Sequence, residues 1–156
     1  MTIYLMRHGQ AGRAASDAER ELTEEGTRAA AVVAERARRA GVAPAAVLSS
    51  PYTRAVQTAE IAARALGFKG RIERTAALLP DCPPFDAWDD ICARHPEGDL
   101  LVVAHEPLLS ALAALLLDSP SLQVRMTPAA MVAIEIERLA PQPSGVLRWM
   151  LTPQLA

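Results

Sequence analysis

The sequence predicts an α/β fold, a three-layer sandwich whose mostly parallel central sheet carries an antiparallel C-terminal strand. Three observations lead there. Short apolar runs alternate with segments of helical periodicity along most of the chain. The run 99–105 (DLLVVAH) is apolar almost without interruption, the pattern of a central strand buried on both faces. Near the end, 131–138 (MVAIEIER) alternates Val132, Ile134 and Ile136 with Glu135 and Glu137, and 144–152 (SGVLRWMLT) returns as its antiparallel partner.

In chain order, the first strand covers Thr2 to Met6. Thr23 is the natural N-cap of the next helix, with Glu24 and Glu25 in the first turn, where the helix dipole favours acids. Ala30, Val33, Ala37 and Ala40 give that helix an apolar face, and Gly41 supplies its stop. A short strand at Ala46 to Ser49 leads into a second helix. There Ser50 is expected to cap, Pro51 to take the first helical position and Gly67 to close. A third strand near Arg71 to Arg74 is followed by a proline-marked loop, 78–86 (LLPDCPPFD). The next helix, with Phe85, Trp88 and Ile91 on one face, ends before His95 and Pro96. After the central strand comes a leucine-rich helix, and 118–130, rich in Pro and Ser, reads as either a surface loop or a rim.

The 156 residues suit one domain spanning 1–156. A net charge of −2 with no dominant basic stripe argues against a nucleic-acid partner. The arginines of 35–41 (ERARRAG) suit the solvated face and final turn of a helix. Ile3 to Met6 is too short for a secretory h-region. The apolar run 108–117 is about half the ~20 residues that span a bilayer. Cys82 and Cys92 lack metal-ligand spacing and a disulfide framework, so bystander thiols in a reducing cytoplasmic setting are expected.

Ligands of open parallel sheets sit beyond the carboxyl ends of the strands. Three segments deliver polar groups to that edge: the first strand brings Arg7 and His8, the second leads to Arg54, and the central strand brings His105. Two arginines, two histidines and a helix N-terminus make a phosphate site with an internal nucleophile. Arginine forks match phosphate oxygens and keep their charge. A neutral imidazole can attack phosphorus through one nitrogen if the other is held by a hydrogen bond. His8, ahead of the permissive Gly9, is the candidate nucleophile, with a carbonyl near Gly9 to orient its ring. His105 is the candidate donor to the phosphoryl oxygens. His95 fits a loop histidine at a helix end.

The segments 6–11 (MRHGQA), 22–26 (LTEEG), 49–60 (SSPYTRAVQTAE) and 102–112 (VVAHEPLLSAL) resemble, in order, the motifs of the histidine phosphatase superfamily. The compact length and the closing 147–153 (LRWMLTP) look most like its SixA branch, the protein phosphohistidine phosphatases. The resemblance implies a phosphoglycerate-mutase-like fold. It implies that His8 is phosphorylated and then hydrolysed, within a phosphate pocket of Arg7, Gly9, Arg54 and His105. No metal and no other cofactor is implied. Mutase activity is disfavoured, because 10–15 (QAGRAA) lacks the Thr or Ser and the Asn with which mutases contact substrate.

Larger relatives supply a carboxylic acid after the third strand, to protonate an alkoxide leaving group. Here no glutamate follows Arg74 before the helix. Asp81 is a possible acid that also reads as a turn residue, and Asp86 reads as a first-turn helix acid. Glu106 is a second possible acid that also reads as part of a helix N-terminus. A site without an acid suits phosphohistidine, whose imidazole leaves readily. The substrate is then a phosphorylated protein, such as a histidine phosphotransfer or carrier protein. The short segment Gln10 to Leu22, with no long lid, is compatible with so large a partner. A small phosphate ester is the alternative substrate, and a non-catalytic phosphate-binding module the alternative of another class.

Overall fold

The computed structural model describes residues 1–94 and 97–156. His95, and with it the loop-histidine reading, lies outside the described residues. The elements follow in the order β1 (Thr2–Arg7), α1 (Glu24–Arg39), β2 (Ala46–Ser49), α2 (Thr53–Leu66), β3 (Ile72–Arg74), α3 (Pro84–Arg94), β4 (Leu100–Ala104), α4 (Leu108–Leu116), β5 (Met131–Arg138) and β6 (Ser144–Leu151). Short 3-10 turns sit at Asp17–Glu19 and Ala76–Leu78.

The six strands form one sheet in the order β3-β2-β4-β1-β5-β6. β3, β2, β4 and β1 run parallel; β5 runs against them beside β1, and β6 pairs antiparallel with β5. Alternation along the central strands divides the apolar residues between two faces. Ile3, Leu5, Leu100 and Val102 pack with Trp88, Ile91, Leu109 and Leu112 of α3 and α4. Tyr4, Met6, Leu101 and Val103 pack with Val33, Ala37, Ala59 and Ala62 of α1 and α2. That is the three-layer sandwich. The alanines of α1 and α2 allow close approach, whereas the α3–α4 face is filled by leucines, each worth roughly 1.5–3 kcal/mol when buried. Among the described residues no helix is long and apolar enough to cross a membrane.

β1 and β4 are neighbours, with Arg7 opposite Ala104 in register. The helices that follow these two strands pack on opposite faces of the sheet. A crevice therefore opens at their carboxyl ends, where open α/β sheets bind ligands.

Local structure follows the sequence at most boundaries. Thr23 Oγ1 accepts the Gly26 N–H at 3.0 Å, and both Gly41 and Gly67 have positive φ. Three details differ. α2 begins at Thr53 with Tyr52 at the cap position, because Ser50 is pulled into the interior and its Oγ accepts the Tyr52 N–H. Phe85 is 52% exposed, and Ala87 joins Trp88 and Ile91 in the buried stripe instead. Steps of three drift about 60° back around a helix, which carries Phe85 to the stripe's edge. Ala40 caps α1 and is exposed.

The turn after β1 lies backbone to backbone against the start of α1. A Cβ on Gly9 would stand 2.6 Å from the Gly26 carbonyl oxygen, and one on Gly26 would overlap the Gln10 carbonyl. Gly26→Ala should therefore destabilise the fold by about 1–3 kcal/mol despite the better helix propensity of Ala. Gly12→Ala, which meets nothing closer than 4.0 Å, should stay within about 0.5 kcal/mol of wild type in urea unfolding.

Candidate active site

β1 delivers Arg7 and His8 to the crevice, β4 delivers His105, and the first turn of α2 delivers Arg54. His8 and His105 each stand one residue past the paired ends of their strands, so their rings face one another with centroids 5.0 Å apart. Arg54 is only 4% exposed, and its Nε donates to His8 Nε2 at 3.2 Å. The side chains expected to converge thus lie together.

The hydrogen bonds fix the state of His8. Its Nδ1 lies 2.7 Å from the Gly9 carbonyl oxygen, which can only accept, so Nδ1 carries the proton. Nε2 accepts from Arg54 and keeps its lone pair. Burial pushes the His8 pKa down to about 4; the Gly9 carbonyl opposes this, and Arg54, Arg7 and Arg20 add to it. His105 is pushed down to about 3, again chiefly by burial, then by His8 and Arg54. Both imidazoles are neutral near pH 7. Arg7 donates through Nη1 to the Met126 carbonyl at 2.7 Å, while its Nε is buried without a protein partner.

Gly9, expected in the phosphate pocket, has its amide engaged within the protein. Its N–H donates to Thr58 Oγ1 at 3.0 Å, so it supports His8. Thr58 is fully buried one turn beyond Arg54 and donates in turn to the Arg54 carbonyl at 2.7 Å. A polar residue in an alanine-rich stripe was the available signal for it.

Asp17 was not legible either. Its backbone oxygen accepts from Arg54 Nη1 at 2.6 Å, and its carboxylate accepts from Arg54 Nη2 at 3.1 Å and Arg20 Nη1 at 3.0 Å. Arg20 and Arg54 hold that carboxyl below its ordinary pKa. The segment from Gln10 to Leu22 is a small arch, closed by the Ala11–Leu22 bridge and the Gly12–Glu21 and Thr23–Gln10 backbone bonds.

Of the possible acids, Asp81 is exposed and makes no hydrogen bond or ion pair among the described residues. Glu106 accepts from the Ser110 amide at 3.2 Å and from the Ser110 hydroxyl, tying down the start of α4. The 118–130 segment is a rim: the Met126 and Ala130 carbonyls hold Arg7, and the Ala129 amide donates to the His8 carbonyl. Cys82 and Cys92 are free.

This combination, a neutral histidine in an arginine-lined cup at the carboxyl edge of the sheet, has the chemistry a phosphoryl-transfer enzyme needs. The histidine phosphatase superfamily (branch 1) matches residues 3–78. An uncharacterized protein of Picosynechococcus is 37% identical over 111 residues, covering 69% of this chain and 67% of that one. The phosphohistidine phosphatase SixA of Escherichia coli is 28% identical over 156 residues, covering 98% of this chain and 94% of that one. A solved structure of the protein histidine phosphatase SixA complexed with tungstate superposes with a TM-score of 0.89 at 28% identity, covering 99% and 98% of the two chains. The chain belongs to the histidine phosphatase superfamily, and it is a phosphohydrolase.

The depressed histidine pKa values couple folding to pH. Unfolded, each imidazole binds its proton near pH 6.5; folded, only near 4 and 3. The unfolded state therefore binds more protons between those limits, and stability falls as pH drops from about 6.5 towards 4. His8→Gln should take up about one proton fewer on unfolding at pH 5 than wild type, measured from the pH dependence of urea unfolding.

Proposed function

We propose that the protein hydrolyses phosphohistidine on a protein substrate, with His8 as nucleophile. Arg7 and Arg54 bind the phosphoryl oxygens and His105 donates to one of them. His8 Nε2 forms a bond to phosphorus as the bond to the substrate imidazole breaks. The electron pair of that bond goes to the substrate nitrogen. With its other nitrogen protonated from solvent, the substrate ring departs as neutral imidazole. Water then attacks the phosphoryl group on His8, the N–P bond returns its electrons to Nε2, and the released proton passes to phosphate or solvent.

The observation that carries this reading is the engagement of the carboxylates beside the cup's arginines, Asp17 at Arg54 and Glu106 near Arg7. Asp17, which touches Arg54, is held ionised by two arginines and suits charge balance better than proton donation. Glu106 is engaged by Ser110, and Asp81 is solvated. An alkoxide leaving group needs a donor, which contributes about 10²–10⁴-fold. Imidazole, with an ordinary pKa of about 6.5, does not. The SixA relatives support the same substrate. A reducing cytoplasmic setting accords with the free thiols.

The test compares purified protein on a phosphorylated histidine carrier protein and on a panel of alkyl phosphates. Turnover of the carrier should exceed that of the esters by at least about a hundredfold. Efficient ester hydrolysis with no action on the carrier would establish the small-ester alternative instead. Asp81→Asn should leave carrier turnover within a few-fold of wild type; a loss above about a hundredfold would restore Asp81 as the acid.

A further inference from the structure

His105 is 1% exposed, and its two ring nitrogens have different surroundings. Nε2 lies 2.7 Å from Ser50 Oγ, whereas Nδ1 is buried with no protein partner. Ser50 is fully buried at the turn between β2 and α2. Its hydroxyl oxygen accepts the Tyr52 N–H at 3.3 Å, while its single proton has one acceptor within reach among the described residues, His105 Nε2. A proton on Nε2 would leave the Ser50 proton buried without an acceptor, an arrangement that folded proteins avoid. The Ser50 hydroxyl therefore donates to Nε2, and the imidazole proton resides on Nδ1.

The turn itself enforces this. Ser50 N–H is fixed by the Val103 carbonyl of β4 at 2.9 Å, so Ser50 keeps its place beside the strand that delivers His105. The Tyr52 ring stands edge-on to the imidazole at 5.2 Å and helps hold the ring plane.

We propose that Ser50 is a positioning residue that sets the tautomer of His105, so that Nδ1–H is the donor offered to a phosphoryl oxygen. In the other tautomer the ring would turn a lone pair on that oxygen, and an attractive contact would become a repulsive one. The inference rests on the proposed assignment of His105 to phosphate stabilisation, and it adds a residue that touches no substrate atom.

Long-range ¹H–¹⁵N correlation NMR on protein labelled at histidine reads the tautomer directly, with resonances assigned by single substitutions. Wild type should show His105 protonated at Nδ1, with and without inorganic phosphate. In Ser50→Ala the proton should move to Nε2, the site preferred by a free neutral histidine. The kcat on any phosphorylated substrate the protein turns over should fall by about 10²–10³-fold, as when one oxyanion donor is lost, with a smaller change in KM. Wild-type His105 protonated at Nε2 would overturn the proposal, whether or not the variant folds. So would a Ser50→Ala protein that keeps either the Nδ1 proton or full kcat. Failure on the phosphohistidine carrier alone would strike the substrate reading and leave the tautomer result standing.

Discussion

An arginine can donate to a histidine nitrogen only while that nitrogen keeps its lone pair. The 3.2 Å contact from Arg54 Nε to His8 Nε2 therefore requires a neutral imidazole with its proton on Nδ1, and the rest of the site serves that requirement. The Gly9 carbonyl receives the proton at 2.7 Å. That carbonyl keeps its place because Thr58 takes the Gly9 amide and Gly26 lies against the turn too closely for a side chain on either glycine. Thr58 also holds the Arg54 carbonyl, so the His8 turn and Arg54 share one anchor between β1 and α2.

The pairing of Arg7 with His8 at the end of a buried strand follows from the same electrostatics. Burial alone disfavours the imidazolium, and Arg7 and Arg54 disfavour it further. On the proposed function, the same positive field that keeps His8 unprotonated would draw in a phosphoryl group, so one residue pair would serve both needs. The buried Arg54 and half-buried Arg7 guanidinium groups are costly without partners. Backbone carbonyls at Met126 and Asp17, with the Asp17 carboxylate, provide them. A carboxylate held between Arg20 and Arg54 is a counter-ion, which disfavours it as a proton donor.

Much of this was legible in the sequence, and the exceptions have physical reasons. The uninterrupted apolar run of β4 announced a central position, and the carboxyl ends of β1 and β4 pointed to Arg7, His8 and His105. Arg54 followed from the start of a helix after a strand. Ser50 read as a helix cap because Ser-Pro ahead of an apolar periodic segment carries that signal; here a second demand, the ring of His105, draws it inside. Asp17 to Arg54 and Thr58 to Gly9 are contacts between segments far apart in the chain, which local spacing does not predict; only the polar character of Thr58 in an alanine-rich stripe hinted at its role. The 118–130 rim works through carbonyls and an amide of the backbone, which every residue type supplies, so its composition could not reveal it.

The most direct measurement of the central claim is where the phosphoryl group resides during turnover. Protein mixed rapidly with a phosphorylated histidine carrier, quenched in alkali to preserve N–P bonds, and mapped by tandem mass spectrometry should carry phosphate on His8. Phosphate on any other side chain of this protein, or a burst of product with the protein unmodified throughout, would contradict it.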